Sequence, residues 1–378
     1  MAKIVQLITS IDLGGAENVA FNIVEHCKKQ YPESFDFFII ELFSKKNTYA
    51  TQKKKELTDK NIKYLSLHRG WKRTSLIFAP VRLMLYIKKN SPDIIHSHTD
   101  LPDFVLSICL RLLSIFHIKK PLIVRTIHNT QLWSDHALMG KITEKMFVND
   151  QIVAVSKASL VAYNSLRKKQ SLPQSIHQCV VYNGCVIPQQ AKHDFRINNG
   201  LINIAFCGRF EYQKGVDILI KIIENVNQKF GHVFMFHIVG HGTYKKEIFE
   251  LSSRENNVEL YDAVPGMSEK FHAFDYSIMP SRFEGLGLTS IEALLSKVPV
   301  IASYASGLDE TLPDDWPLKF HLENMDEVLA IFERIANREY DRNRLTEKAF
   351  AYVQQYFSIE AMIEKYSKIY LDLKIASC

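Results

Sequence analysis

Two cations and two carboxylates in the second half of the chain offer the clearest chemistry. An apolar run ending at Cys207 leads into Gly208 and Arg209, and Lys214 follows five residues on, directly before Gly215. A guanidinium binds phosphate oxygens bidentately and an ammonium adds a point charge, so this loop suits a diphosphate. Further along, Ser281-Arg-Phe-Glu284-Gly285-Leu286-Gly287-Leu288-Thr-Ser-Ile-Glu292 passes from a strand pattern through a glycine loop into a helix pattern. Backbone N–H groups in such a loop and at a helix start bind phosphate oxygens. The flanking carboxylates, Glu284 in the loop and Glu292 on the helix, are acceptors for sugar hydroxyls.

The first half offers a weaker set. Asp12-Leu-Gly14-Gly15-Ala16-Glu17 follows the first apolar run. Its glycines allow close backbone approach, and the helix start beyond them presents free N–H groups. Ser97-His98 follows a strand pattern ending at His96, and His128-Asn129 follows one ending at Ile127. Of these histidines His128 is favoured, because it stands at the immediate end of a run that reads as a buried strand. Gly240-His-Gly242 resembles a dinucleotide loop, but Lys245 occupies the place of the third glycine, which argues against a dehydrogenase.

These groups need strands and helices to hold them. Apolar runs at 4–8, 35–43, 62–67, 93–96, 122–127, 151–155 and 180–182 read as strands, with helical periodicity at 16–29, 76–89 and 103–116. Pro188–Gly200 is polar and reads as a linker. The alternation then restarts, with strands at 202–207, 233–239, 258–261, 276–279 and 300–302 and helices at 215–229, 244–254 and 290–296. Helical stretches at 325–337, 343–356 and 359–373 end the chain. Alternating strands and helices imply parallel sheets. Two such series in 378 residues imply two doubly wound α/β domains with a ligand cleft between them. The domain boundaries fall at 1–187, 199–354 and 355–378.

Composition narrows the function classes. No uncharged apolar stretch reaches the length of a membrane span; the nearest, Phe104–Ile118, is interrupted by Arg111 and His117. The first residues read as a buried strand and not as a signal peptide. Six scattered cysteines (27, 109, 179, 185, 207 and 378) form no CxxC pair and read as reduced thiols of a cytoplasmic protein. Residues 1–190 hold 26 Lys/Arg against 14 Asp/Glu, a net of +12, whereas 191–378 hold 21 against 27, a net of −6. The basic excess includes Lys28-Lys29, Lys45-Lys46, Lys53–Lys55, Arg69 with Lys72-Arg73, Lys88-Lys89 and Arg167–Lys169, with apolar residues such as Trp71 interleaved. That pattern fits docking to an anionic membrane face, with a solvated basic face as the alternative. No nucleic-acid module is present to support the other polyanion.

Taken together, the motifs carry a resemblance. Glu284 and Glu292, with seven residues between them, resemble the E-x7-E motif of the family 4 retaining glycosyltransferases, which have the GT-B fold. The other pieces stand in that family's order: Gly14-Gly15-Ala16-Glu17, Ile95–His98, His128-Asn129, Val155-Ser-Lys157, Asn183-Gly184, Gly208-Arg209 with Lys214-Gly215, and Gly240/Gly242. Phe357–Glu360 with Tyr366 and Tyr370 resembles the family's last helix, which returns to the N-terminal domain. The departure is Asn183-Gly184-Cys185-Val186, where the family carries Val or Ile and then Asp.

The resemblance implies roles. Arg209 and Lys214 would hold the diphosphate of a nucleotide-sugar donor, with Gly15, Gly208 and Gly240 close to it. Glu292 would bind the ribose. Glu284 and the N–H groups of Gly285, Leu286, Gly287 and Leu288 would meet the sugar and phosphates. His128 would hydrogen-bond the sugar near the reacting carbon. Gly14, His98 and Asn129 are assigned to the acceptor, a saccharide or lipid-linked saccharide at the inner membrane face. The family habit is retention at the anomeric carbon, and UDP is preferred to GDP as the nucleotide. No Asp-x-Asp pair occurs, so no metal is expected, and the nucleotide-sugar is a co-substrate and not a cofactor. A nucleotide-sugar epimerase on the same fold and a non-catalytic partner subunit are the alternatives. The epimerase would lack the pairing of Gly-Gly-Ala-Glu with E-x7-E.

Overall fold

A computed structural model of the chain describes residues 1–12, 14–68, 72–134 and 136–376, with residues 72–75 described as backbone only. Arg69, Trp71 and Cys378, and the side chains of Lys72 and Arg73, therefore lie outside the described residues. The chain forms two compact units, one of Met1–Gly184 with Ile359–Cys378 and one of Cys185–Ser358.

The first unit runs β1 (Ala2–Ile8), α1 (Gly15–Gln30), β2 (Phe35–Glu41), α2 (Thr48–Asp59), β3 (Lys63–Ser66), α3 (Lys72–Asn90), β4 (Ile94–His98), α4 (Asp100–Ile115), β5 (Leu122–Ile127), α5 (Ala137–Glu144), β6 (Gln151–Ala154), α6 (Lys157–Lys169) and β7 (Gln178–Val180). Its sheet has the order β3-β2-β1-β4-β5-β6-β7, with every pair parallel. Helices cover both faces of such a sheet, so its strands are apolar on both sides. Along β1, Ile4 and Ile8 join one core cluster with Phe21 of α1, while Val5 and Leu7 join another with Leu83 of α3 and Leu106 of α4.

The second unit runs β8 (Ile202–Arg209), α7 (Val216–Phe230), β9 (Phe234–His241), α8 (Lys245–Arg254), β10 (Val258–Tyr261), β11 (Tyr276–Met279), α9 (Leu288–Leu295), β12 (Val300–Ser303), β13 (Lys319–Phe320), α10 (Met325–Ala336) and α11 (Arg342–Tyr356). Its sheet order is β10-β9-β8-β11-β12-β13, again parallel throughout. The final helix, α12 (Ile359–Ala376), belongs to the first unit, where Ile363, Tyr366 and Tyr370 enter the same core cluster as Ile4 and Phe21.

Side-chain caps define several helix starts. Asn47 accepts from the Ala50 N–H, Ser156 from Ser159, Asn324 from Glu327 and Asp341 from Arg344. The segment read as a linker is not a free tether. Pro188–Gly200 has no regular secondary structure, yet Phe195 is buried, with its ring 4.9 Å from Phe274 and 5.0 Å from Tyr261. The Ala191 N–H donates to the Glu269 carbonyl at 3.0 Å, so this segment packs on the second unit.

Candidate active site

In open α/β sheets, ligands sit beyond the carboxyl ends of the strands where strand order reverses. In the second sheet that point lies between β8 and β11. Arg209 ends β8 and is exposed. Tyr212–Lys214 makes one 3-10 turn, and Gly215 then turns the chain into α7 with a left-handed φ of 65°. A Cβ on Gly215 would lie 1.8 Å from the Pro280 carbonyl oxygen, so only glycine lets this loop rest on the end of β11.

That contact brings Lys214 onto Glu284. Lys214 Nζ donates to Glu284 Oε1 at 2.6 Å, with both side chains largely buried. Ser281 Oγ donates to the same oxygen at 2.8 Å. Gln213 links the pair to Arg209: its Oε1 accepts from Arg209 Nη2 at 3.0 Å, and its Nε2 donates to the Phe283 carbonyl at 3.2 Å and to Glu284 Oε2 at 3.5 Å. Arg282, in the same loop, is turned aside onto Asp217 in a bidentate pair at 2.6 and 2.7 Å, with its guanidinium over the Tyr212 ring.

Glu292 stands on α9, half-buried, and among the described residues no hydrogen bond or ion pair holds its carboxyl. Burial raises it to about 7, with the Lys214 charge pulling the other way. Two thiols lie in its field, Cys185 and Cys207, both pushed up by burial first and by the Glu292 charge second. A perturbed, unpaired carboxyl beside an ion-paired lysine is a group suited to ligand hydroxyls.

Residues 284–287 are buried and the Leu286 side chain is in the core, so from Leu286 only backbone could meet a ligand. Gly240 lies inside β9 and not in a loop after it. It pairs in register with Gly208, and a Cβ there would sit 1.9 Å from the Gly208 carbonyl oxygen. Strand approach therefore requires glycine at 240, at the carboxyl end of β9. Gly208 lies beside the Lys214 side chain, at ordinary contact distance for a Cβ, and Gly287 and Leu288 open α9.

In the first unit the reversal lies between β1 and β4. β4 extends through His98, two residues beyond the expected strand end, and His96, Ser97 and His98 are all buried. His128 follows β5 directly and is half-buried. His128 Nε2 is 3.0 Å from His98 Nδ1, and His98 Nε2 is 2.7 Å from Gln6 Oε1. Both nitrogens of His98 are therefore engaged inside the core, which corrects its assignment to the acceptor: it reaches solvent only through His128. Burial drives all three histidines down, His128 to about 3, so the rings are neutral at ordinary pH.

Asn129 uses its side-chain oxygen on its own turn, accepting from the Thr130 N–H at 2.8 Å. Gly14 is extended and half-buried before α1, and Gly15, the first residue of α1, is exposed. A Cβ on Gly14 would meet Glu17 Oε2 at 2.2 Å, because that carboxylate folds back over the helix start. The side chains to which the motifs assign no role in the site are Gln213 and Ser281 in the second unit, and Gln6, Thr126, Tyr366 and Tyr370 in the first. Gln6 carried a signal: a polar residue inside the apolar run of the first strand, between Val5 and Leu7.

Comparison with known proteins sets a class on this geometry. Residues 202–337 match the family model described as Glycosyl transferases group 1, and two parallel-sheet units of this kind make a GT-B fold. The chain is a glycosyltransferase. It is 26% identical over 372 residues to a 41.2 kDa protein of the cps region of Klebsiella pneumoniae, covering 94% of this chain and 96% of that protein. It is 25% identical over 294 residues to the O-antigen biosynthesis glycosyltransferase WclY of Escherichia coli, covering 74% and 79%. Among solved structures, Anabaena HepE in complex with UDP and glucose superposes with a TM-score of 0.77 at 16% identity, covering 98% of this chain and 100% of that one.

Proposed function

We propose that the chain is a retaining transferase that moves a hexose or N-acetylhexosamine from a UDP-sugar to a lipid-linked saccharide during cell-surface polysaccharide synthesis. The observation that carries this reading is the cluster of Arg209, Gln213, Lys214, Glu284 and Glu292 at the switch point of the second sheet. Arg209 and Lys214 take the diphosphate and offset the charge that grows on it as the bond from the anomeric carbon to the phosphate oxygen breaks. Glu284 fixes Lys214 for that task, and Glu292 accepts from the ribose hydroxyls. The acceptor oxygen attacks from the face the diphosphate leaves, and its proton passes to the departing phosphate oxygen. Configuration is kept, and two protein cations stand where other enzymes use a metal.

The WclY and cps-region relatives support a polysaccharide pathway. The UDP complex of HepE supports the nucleotide. Docking at the inner membrane face is supported by the basic first half and by α3, whose Ile77, Phe78, Val81 and Leu85 are exposed beside exposed Arg82, Lys88 and Lys89. The test is to incubate the protein with a panel of UDP- and GDP-sugars, with and without EDTA, and follow nucleotide diphosphate release. The anomer formed on a simple saccharide acceptor is then read by NMR. Release unaffected by EDTA with a retained anomer supports the reading. An inverted anomer overturns retention, and activity abolished by EDTA overturns metal independence.

A further inference from the structure

His128 ends a chain of buried hydrogen bonds that begins on the last helix. Tyr366 OH is 3.2 Å from Thr126 Oγ1, which is 2.6 Å from His96 Nε2. His96 Nδ1 is 2.7 Å from Tyr370 OH, and Gln6 Nε2 donates to that hydroxyl at 3.0 Å. Gln6 Oε1 then faces His98 Nε2, and His98 Nδ1 faces His128 Nε2. Tyr366, Tyr370, Gln6, Thr126, His96 and His98 are each buried.

A neutral imidazole has one donor nitrogen and one acceptor nitrogen, so fixing one bond in such a chain fixes the rest. The Gln6 amide is the asymmetric group. With its oxygen on His98, that ring must carry its proton on Nε2 and accept at Nδ1. His128 must then donate from Nε2, which leaves its Nδ1 as a lone pair. Among the described residues no partner holds that Nδ1. The opposite orientation of the Gln6 amide would reverse every bond and turn Nδ1 of His128 into a donor.

We propose that Gln6 and Tyr370 are positioning residues that set the tautomer of His128 through His98, presenting Nδ1 as an acceptor for a sugar hydroxyl. The proposal rests on the reading that His128 meets the sugar. Burial, which keeps both rings uncharged, makes the two tautomers the only states to choose between. Tyr370 also anchors the arrangement physically, with its ring 5.8 Å from Phe35 and 6.1 Å from Phe37. The C-terminal helix thereby acts on a strand-end histidine far from it in sequence.

The test combines histidine 15N NMR with kinetics on Gln6→Met, Tyr370→Phe, His128→Ala and the Gln6→Met/His128→Ala double variant. The wild type should show His98 and His128 both protonated on Nε2. Gln6→Met and Tyr370→Phe should give mixed tautomers at His128 and a roughly ten-fold fall in kcat with little change in donor KM, the scale of one lost hydrogen bond. Gln6→Met should add nothing to His128→Ala, because it acts through that ring. Tyr370→Phe keeps the ring contacts, so the test survives if Gln6→Met fails to fold. A His128 protonated on Nδ1 in the wild type overturns the proposal, as does a Gln6→Met loss that persists undiminished without His128. A full rate in His128→Ala overturns the reading of His128 together with the proposal. An impaired His128→Ala beside an unimpaired Gln6→Met overturns the proposal alone.

Discussion

Arg209 and Lys214 share a loop but differ as experimental probes. Lys214 is buried against Glu284, so removing it leaves a buried carboxylate without its cation, a loss on the order of 3–5 kcal/mol in folded stability. Arg209 is exposed and among the described residues its guanidinium hydrogen-bonds the Gln213 amide alone, so its removal reports on chemistry with little effect on folding. Arg209→Ala should lower kcat by roughly 100- to 1000-fold, the range for a lost transition-state donor, at an unchanged melting temperature. An unchanged kcat would remove Arg209 from the mechanism. Glu292 gives a prediction with a definite sign. Its folded pKa, about 7, lies above the ordinary 4.5, so the protonated carboxyl is the form folding favours. That contribution is fully present below about pH 4.5 and is lost as pH rises through 7. Glu292→Gln should therefore melt higher than the wild type at pH 8, with the gap closing by pH 5. The same substitution should weaken UDP binding at pH 8, where the wild-type carboxylate is charged. A melting difference independent of pH would contradict this assignment.

At the scale of elements, the strands were legible where the run is mainly apolar, as in β11 and β12, and the loops after β8 and β11 followed from them. What escaped has physical reasons. α2 buries only Ala50 and Leu57, and α6 turns Ser159, Tyr163 and Arg167 inward, so neither shows an apolar stripe. β4 ran on because His96 and His98 are satisfied by distant side chains that no local pattern reveals. A buried ion cluster explains another part. Arg125 on β5 pairs with Asp103 of α4 at 2.8 Å and with Glu144 of α5 at 2.7 Å, and Arg167 of α6 also reaches Glu144. Glu144 further accepts from the Trp133 indole at 3.1 Å, so this carboxylate of α5 ties α6 and the Trp133 loop to β5, the strand that leads into His128. Arg125→Met should cost about 3–5 kcal/mol, because it strands the buried Asp103 and leaves Glu144 with Arg167 as its cation, and should appear as a lower urea midpoint. A midpoint within error of the wild type would show the cluster to be dispensable. Gly215→Ala should also destabilise, since its Cβ cannot fit against Pro280, and should cut turnover by displacing Lys214. Full turnover in that variant would break the proposed link between this turn and the diphosphate site.

For the whole molecule, charge is divided along the chain, with a net of +12 before residue 190 and −6 after it. No helix among the described residues is long and apolar enough to cross a membrane. Each lysine or arginine near an anionic bilayer contributes about 1 kcal/mol, and the exposed apolar side chains of α3 add burial in the interface. The protein should pellet with anionic vesicles at low salt and not with neutral ones, and Phe78→Asp with Val81→Asp should weaken that binding. Equal recovery with both vesicle types would remove the charge argument. The central claim is that the β8–β11 switch point binds the nucleotide diphosphate of the donor. It is tested most directly by titrating UDP and GDP calorimetrically into the wild type and into Arg209→Ala. The account predicts one UDP site per chain in the wild type and an affinity at least ten-fold weaker in the variant, the scale of a charge-assisted phosphate contact of about 1.5 kcal/mol. Equal UDP affinity in the two proteins would place the nucleotide elsewhere and contradict the account.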